Sequence, residues 1–217
     1  MNAAATSGSR LVLAMLPAVV VCLAAAGSLL GGKQLTVALE RGGYVILMRH
    51  ANSPRELPDA AQSEPDNVKR ERQLDAAGRA SARAMGDAFR RLRVPVGEVL
   101  SSPTYRALET ARLAQLPAPQ TFQQLGDAGM SMIPDAAGAR GGWLRAQVAK
   151  PPKPSTDTVI ITHYPNIHEA FPKDAENLAE GEALIYRPDG RGAAALVARV
   201  KIEDWPILAS LSMSSSH

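Results

Sequence analysis

Two continuous apolar runs in the chain, Tyr44–Met48 and Thr158–Thr162, have the composition of buried β-strands. A histidine follows each run closely: Arg49 and His50 come after the first, and His163 comes after the second. In α/β sheets, ligands bind outside the carboxyl ends of the strands. The pattern therefore predicts that two strands bring two histidines to one edge of a sheet, where they can meet over a single ligand.

Amphipathic segments around these runs predict helices. Asp75 is the predicted N-cap of a helix that ends at about Leu92. A second helix is predicted to start with Ser101-Ser102-Pro103, which puts Arg106 in its first turn at the same sheet edge, where helix N-termini attract anions. This alternation of strands and helices predicts a layered α/β fold. The remaining predicted elements are a helix at 142–149 and short strands at 98–100, 122–125, 182–186 and 194–202.

The segment from Ala51 to Glu71 is polar, contains prolines at 54, 58 and 65, and is predicted to be a loop. A loop of this length in a compact domain is usually functional or partly disordered. Residues 31–42 are predicted to be a short lead-in to the first strand, and residues 212–217 a frayed end.

The amino terminus has the pattern of a secretory signal: a polar start with Arg10, an uncharged and almost wholly apolar stretch at 11–30, and the small residues Ala24-Ala25-Ala26 as a cleavage site. The stretch is also long enough to cross a bilayer, so an uncleaved anchor through residues 11–30 is the alternative. We therefore expect a signal or anchor at 1–30 and one domain at 31–217. Under both interpretations the domain is expected to be periplasmic or otherwise extracytoplasmic.

Charge and cysteine content exclude several classes of protein. The chain has 24 basic and 21 acidic residues, and this balance, without an aromatic and basic platform, gives no support for nucleic-acid binding. Cys22 is the only cysteine and lies inside the apolar stretch. The domain at 31–217 is therefore expected to have no disulfide, no thiol nucleophile and no cysteine-bound metal.

Three motifs follow one another along the chain: LMRHA at Arg49 and His50, VLSSPTYRALETA at Arg106, and VIITHYPNI at His163. In this order they resemble the histidine phosphatase superfamily, also called phosphoglycerate mutase-like. Gln73 to Gly78 also resembles that family's Leu-Thr-x-x-Gly helix start, whereas Ala51 stands where glycine is commoner. The resemblance spans about residues 44–202 and implies a layered α/β/α fold with a mostly parallel central sheet.

The resemblance implies a metal-independent phosphomonoester hydrolase in which His50 attacks the phosphorus atom and becomes a phosphohistidine. Arg49, Arg106 and His163 are implied to hold the phosphate. Arginine suits this role because its planar, permanently charged guanidinium makes bidentate contacts to phosphate oxygens. His50 must attack as neutral imidazole, with its other ring nitrogen donating to a backbone carbonyl. His163 is expected to be protonated and to help offset the charge on the phosphate.

The leaving alkoxide needs a proton from a general acid. The family pattern makes Asp127, in Leu-Gly-Asp-Ala-Gly, the candidate, with Asp135 and Glu109 as competitors. Glu109 is alternatively a plain residue on the helix surface. Asn52 and Ser53 are candidates for contacting the substrate, with ordinary loop residues as the alternative.

No metal or cofactor is expected. His168-Glu169 begins like a zinc-protease motif, but Pro172 stands where the second histidine would be, so His168 is predicted to be structural. No glycine-rich nucleotide-binding pattern occurs.

Two functions remain open from the sequence. The expected one is that of an exported bacterial phosphatase that hydrolyses an extracytoplasmic phosphoester, such as a sugar phosphate or a glycolipid phosphate. The alternative is a catalytically idle phosphate-binding or envelope-interaction module. Substrate specificity is expected in the loops at 51–71 and 112–140.

Overall fold

The structure is a computed structural model and describes residue 1 and residues 29–127 and 138–213. Almost all of the predicted signal or anchor at 1–30 lies outside the described residues, and so does the competing acid Asp135. Within the described ranges, no helix has the length and hydrophobicity needed to cross a bilayer.

Strands and helices alternate through most of the described chain, as predicted. The strands are β1 (Val45–Arg49), β2 (Val96–Ser101), β3 (Gln120–Thr121), β4 (Asp157–Thr162), β5 (Ala183–Pro188) and β6 (Ala194–Val200). The helices are α1 (Gly32–Arg41), α2 (Ala76–Arg91), α3 (Tyr105–Leu113), α4 (Ala139–Ala149), α5 (Tyr164–Ala170) and α6 (Trp205–Met213).

The strands form one sheet in the order β3-β2-β4-β1-β5-β6. β1, β2, β3 and β4 pair in parallel, whereas β5 is antiparallel to β1 and β6 is antiparallel to β5. β1 and β4 are neighbours, with Arg49 opposite Thr162. His50 and His163 therefore leave the same edge of the sheet side by side. β2 lies on the other side of β4, so the chain that leads into α3 starts from this edge as well.

Helices cover both faces of the sheet, which confirms the predicted α/β/α layering. α1, α2, α3 and α6 contribute to a core on one face, together with Ile46 and Met48 of β1. α4 and α5 pack on the opposite face, against Val45 and Leu47. These four side chains of β1 have no exposed surface. Burial on both faces explains why the strand sequence is apolar at successive positions rather than at alternate ones.

The structure differs from the sequence prediction at several places, and helices α5 and α6 were not predicted. The segment predicted as a lead-in contains α1, which buries Leu35 and Leu39. The helix after β2 begins only at Tyr105 with Thr104 as its N-cap, because Ser101 is still the last residue of β2. The strand expected at 122–125 is a 3₁₀ turn, and the neighbouring strand is β3. By contrast, Asp75 caps α2 as predicted, and its side chain accepts a hydrogen bond from the Gly78 N–H at 2.7 Å.

The first residue of β4, Asp157, carries a fully buried carboxyl group away from the histidine edge. One oxygen accepts a hydrogen bond from the Tyr44 N–H at 2.8 Å, and the other has no partner among the described residues. Burial raises the pKa of this carboxyl to about 7, although the Tyr44 N–H opposes the change. The folded protein therefore holds a proton at Asp157 that the unfolded chain releases at about pH 4.

We expect the free energy of unfolding to fall as pH rises from about 4 to about 7, because in this range the native state binds more protons than the unfolded state. Asp157→Asn should keep the bond from Tyr44 and remove this contribution, on the order of 2–4 kcal/mol across the range. Urea unfolding of both proteins between pH 4 and pH 8 measures the difference. A constant difference between variant and wild type across that range would contradict the prediction.

Candidate active site

A pocket of about 420 Å³ opens at the histidine edge of the sheet. It is lined by all five residues for which sequence analysis predicted a catalytic role, although they come from two strand ends, one helix and one loop. The lining residues are Arg49, His50, Arg55, Arg72, Arg106, Asp127, His163, Tyr164, Pro165 and Glu180.

His50 is held in one tautomer. Its backbone N–H donates to the Thr162 carbonyl at 3.0 Å, which continues the pairing of β1 and β4. Its Nδ1 lies 2.8 Å from the Ala51 carbonyl oxygen, which can only accept, so Nδ1 carries the proton. The Arg106 Nε–H donates to Nε2 at 3.1 Å. Nε2 is therefore unprotonated, as the sequence analysis required of a nucleophile, and in the ligand-free pocket its lone pair accepts the bond from Arg106.

Burial lowers the pKa of the His50 imidazole well below its ordinary value, and the neighbouring His163 lowers it further. The charges of Arg106 and Arg49 act in the same direction, against the hydrogen bond to Ala51. His50 is thus neutral throughout the physiological pH range.

His163 lies against His50, with ring centroids 5.2 Å apart and the ring planes inclined at 62°. Its Nδ1 is 3.1 Å from Arg106 Nη2, and its Nε2 is 2.9 Å from Ser102 Oγ. Because a guanidinium only donates, Nδ1 must be unprotonated. Burial and the charge of Arg106 lower the pKa of His163 to about 2. Without a ligand, therefore, His163 is neutral rather than protonated as expected from the sequence.

Arg106 is placed by the first turn of α3 and by Thr110 one turn later. The Thr110 hydroxyl donates to the Arg106 carbonyl at 2.8 Å and accepts a hydrogen bond from the Ala51 N–H at 3.1 Å. This side chain therefore fixes the backbone that follows His50 to the helix that carries Arg106. The contact gives a physical reason for the Arg-x-x-x-Thr spacing in the motif.

Asp127 forms a short ion pair with the Nη2 group of the buried Arg106, while about a quarter of its own side chain stays exposed. The two residues before Asp127 accept hydrogen bonds from side chains of β4 and α5. Thr162 Oγ1 donates to the Leu125 carbonyl at 2.8 Å, and Asn166 Nδ2 donates to the Gly126 carbonyl at 2.8 Å. Asp127 is thus fixed at the pocket, beside Arg106.

Arg49 forms an ion pair with a residue that the sequence analysis missed. Its Nη2 lies 2.6 Å from one carboxylate oxygen of Glu180, and the other oxygen accepts a hydrogen bond from the Ser53 N–H at 3.3 Å. Glu180 stands in an irregular segment before β5, where no periodic pattern indicates which way a side chain points. Ser102, the hydrogen-bond partner of His163, was within a recognised motif but had no predicted role.

Three predicted residues have other contacts. The Asn52 side chain donates to the Asp75 carboxylate, and Ser53 Oγ donates to the Gln73 carbonyl at 2.8 Å, so both side chains hold the loop rather than line the pocket. Glu109 is buried, which makes the expectation of a helix-surface residue wrong. It accepts a hydrogen bond from the Leu74 N–H at 2.8 Å and is not among the pocket residues, so it is poorly placed to be the acid.

The part of the chain that the structure describes contains no group of three or more histidine, cysteine, aspartate or glutamate side chains arranged to hold a metal ion. His168 is exposed and faces the ring of Tyr164, with the ring centroids 5.4 Å apart. Positive charge in the pocket comes instead from the arginines.

Comparisons with known proteins agree with this geometry. The model of the histidine phosphatase superfamily (branch 1) matches residues 45–127. A protein histidine phosphatase SixA, solved with tungstate, is 18% identical with a TM-score of 0.54, over 74% of this chain and 98% of that chain. A putative phosphohistidine phosphatase SixA from Nakamurella multipartitia is 18% identical with a TM-score of 0.50, over 73% of this chain and 95% of that chain. No curated protein matches the chain.

At this identity the two solved structures establish the shared fold. The family match covers the segment that contains Arg49, His50, Arg106 and Asp127, and His163 lies beyond it. The family match supports the prediction of a histidine-type phosphatase, and the two solved structures support the predicted fold.

Proposed function

We propose that the protein is a metal-independent phosphomonoester hydrolase that works through a phosphohistidine at His50. The observation that carries the proposal is the state of the His50 ring: Nδ1 is bound to the Ala51 carbonyl, and the unprotonated Nε2 accepts a hydrogen bond from Arg106 in a pocket lined by arginines. A neutral imidazole next to guanidinium groups combines a nucleophile with the charge that binds its anionic target.

The reaction follows from these positions in two displacements. As the phosphoryl oxygens replace His50 Nε2 and Asp127 as partners of Arg106, Asp127 takes up a proton. Nε2 of His50 then forms a bond to phosphorus while the ester P–O bond breaks, and the departing oxygen takes that proton from Asp127. Water then attacks the phosphohistidine and gives a proton to the Asp127 carboxylate, the N–P bond breaks, and its electron pair returns to Nε2 as phosphate leaves. Arg49 and Arg106 stabilise the charge on the phosphoryl oxygens in both steps, which is the role that metal ions take in other phosphatases.

The first experiment tests the nucleophile. With p-nitrophenyl phosphate and a chelator present, wild type should turn over, and His50→Ala should lose at least about 10³-fold in kcat because no covalent intermediate can form. Rapid quenching of wild type during turnover should yield an acid-labile phosphohistidine that is absent from His50→Ala. Equal rates for the two proteins would contradict the proposal, and phosphate binding without turnover by wild type would favour the idle binding module.

The second experiment tests Asp127 through the leaving group. Asp127→Asn removes the proton donor but keeps a side chain of the same size beside Arg106. It should slow alkyl phosphates by about 10²-fold or more and p-nitrophenyl phosphate much less, because nitrophenolate leaves without a proton. Equal slowing of both esters would assign Asp127 to binding rather than to proton transfer.

We further propose that the substrate is an extracytoplasmic phosphoester, such as a sugar phosphate or a glycolipid phosphate. Support comes from the amino-terminal sequence, where a basic flank, an apolar stretch and a small-residue cleavage site precede the domain. An uncleaved segment would instead leave the protein anchored in the membrane, with the pocket on its outer side.

The location can be measured by fractionating bacterial cells that express either the full chain or residues 29–217. The full chain should appear in the periplasmic or membrane fraction, and the shortened chain in the cytoplasm. A cytoplasmic full chain would contradict the location. In a panel of phosphoesters, faster hydrolysis of phosphohistidine or phosphoserine peptides than of sugar phosphates would contradict the substrate class.

A further inference from the structure

Arg72 contributes a guanidinium to the wall of the pocket from outside the motifs that predicted the site, in addition to those of Arg49, Arg55 and Arg106. Its Nε–H donates to the Pro54 carbonyl at 2.6 Å, and its Nη2 donates to the Ser53 carbonyl at 2.7 Å. These two bonds hold the guanidinium in place and leave Nη1 without a hydrogen-bond partner among the described residues. The group is therefore both oriented and able to donate to a ligand.

The backbone around Arg72 is fixed to the helix that carries Arg106. The Glu71 carboxylate accepts a hydrogen bond from the Tyr105 N–H at 2.9 Å, at the start of α3. The Leu74 N–H donates to Glu109, on the same helix, at 2.8 Å. Arg72 is thus held between two attachments to α3, and its distance from Arg106 is set by the fold rather than by a free loop.

Arg72 also differs from Arg49 and Arg106 in its charge balance. Arg49 is paired with Glu180, and Arg106 is paired with Asp127. The hydrogen-bond partners of Arg72 are neutral carbonyls, and the described residues provide it with no carboxylate within ion-pair distance. Its full positive charge is therefore available to an anion in the pocket.

The electrostatics of the neighbours show that this charge reaches the reacting groups. After burial and Arg106, the charge of Arg72 is the next cause that lowers the pKa of His163. It also lowers the pKa of Arg49 and of Arg106, in each case after burial and against the effect of a carboxylate. Three groups around the predicted phosphate position are thus close enough to Arg72 to be affected by it.

We propose that Arg72 is a catalytic residue that contacts the phosphoryl oxygens directly and supplies positive charge that the ion pairs of Arg49 and Arg106 leave unavailable. The inference rests on the proposed function of the pocket for the identity of the anion. A phosphate monoester is dianionic, and with both histidines neutral the pocket depends on unpaired guanidinium charge to balance it. Arg72 is the oriented group that provides it.

The test measures binding of inorganic phosphate by isothermal titration calorimetry to wild type, Arg72→Gln, Arg72→Lys and Arg83→Gln. Arg83 is an exposed residue of α2, so Arg83→Gln removes the same charge outside the pocket. We expect Kd to rise about tenfold or more for Arg72→Gln, by a smaller factor for Arg72→Lys, and to stay within about twofold for Arg83→Gln. kcat/KM for p-nitrophenyl phosphate should follow the same order.

Two outcomes would overturn the inference. One is a phosphate Kd for Arg72→Gln that stays as close to the wild-type value as the Kd of Arg83→Gln does. The other is equal weakening by Arg72→Gln and Arg72→Lys, since the residue would then act only by holding Ser53 and Pro54. If thermal unfolding shows that Arg72→Gln does not fold, an unchanged Kd in Arg72→Lys overturns the inference, because an ammonium group lacks the two-pronged contact. Phosphate binding by a wild type without turnover would refute the proposed function, while the binding series would still decide the role of Arg72.

Discussion

The guanidinium of Arg106 sets the chemical state of the whole pocket. It donates from Nε to His50 and from Nη2 to His163, and a guanidinium cannot accept a hydrogen bond. Both ring nitrogens must therefore present lone pairs, so one buried cation keeps both imidazoles neutral. For His50 this is the form that the proposed attack on phosphorus requires. For His163 it means that the ligand-free pocket takes its positive charge from arginine alone.

Buried guanidinium groups need compensation in the absence of substrate, since an unpaired charge in a protein interior is costly. Asp127 and Glu180 provide it for Arg106 and Arg49. An entering phosphate must compete with these carboxylates, so it exchanges one anionic partner for another rather than filling an empty cationic site. Such an exchange lowers the affinity of the pocket for anions that bind arginine weakly. It also makes binding depend on a guanidinium without a carboxylate partner, such as that of Arg72.

The convergence of His50 and His163 could be predicted from the sequence because a buried parallel strand leaves a continuous apolar run and each run leads into a histidine. Arg106 and Asp127 followed from motifs. Arg72 and Glu180 could not be predicted in this way, since they come from irregular segments whose directions depend on contacts to distant carbonyls and amides. α1 was missed because few of its residues are buried, and its apolar face is recognisable only from the core residues that it packs against.

The polar segment after His50 illustrates why composition predicts a loop and yet says little about its order. The buried Asn67 donates to the Glu71 carbonyl at 2.7 Å and accepts from the Glu71 N–H at 2.9 Å. Ser53 Oγ bonds the Gln73 carbonyl in the same manner. A segment without a core of its own must satisfy its backbone through such side chains. The same polar residues that exclude a helix or a strand therefore hold the segment in one conformation, and that conformation is what brings Arg72 to the pocket.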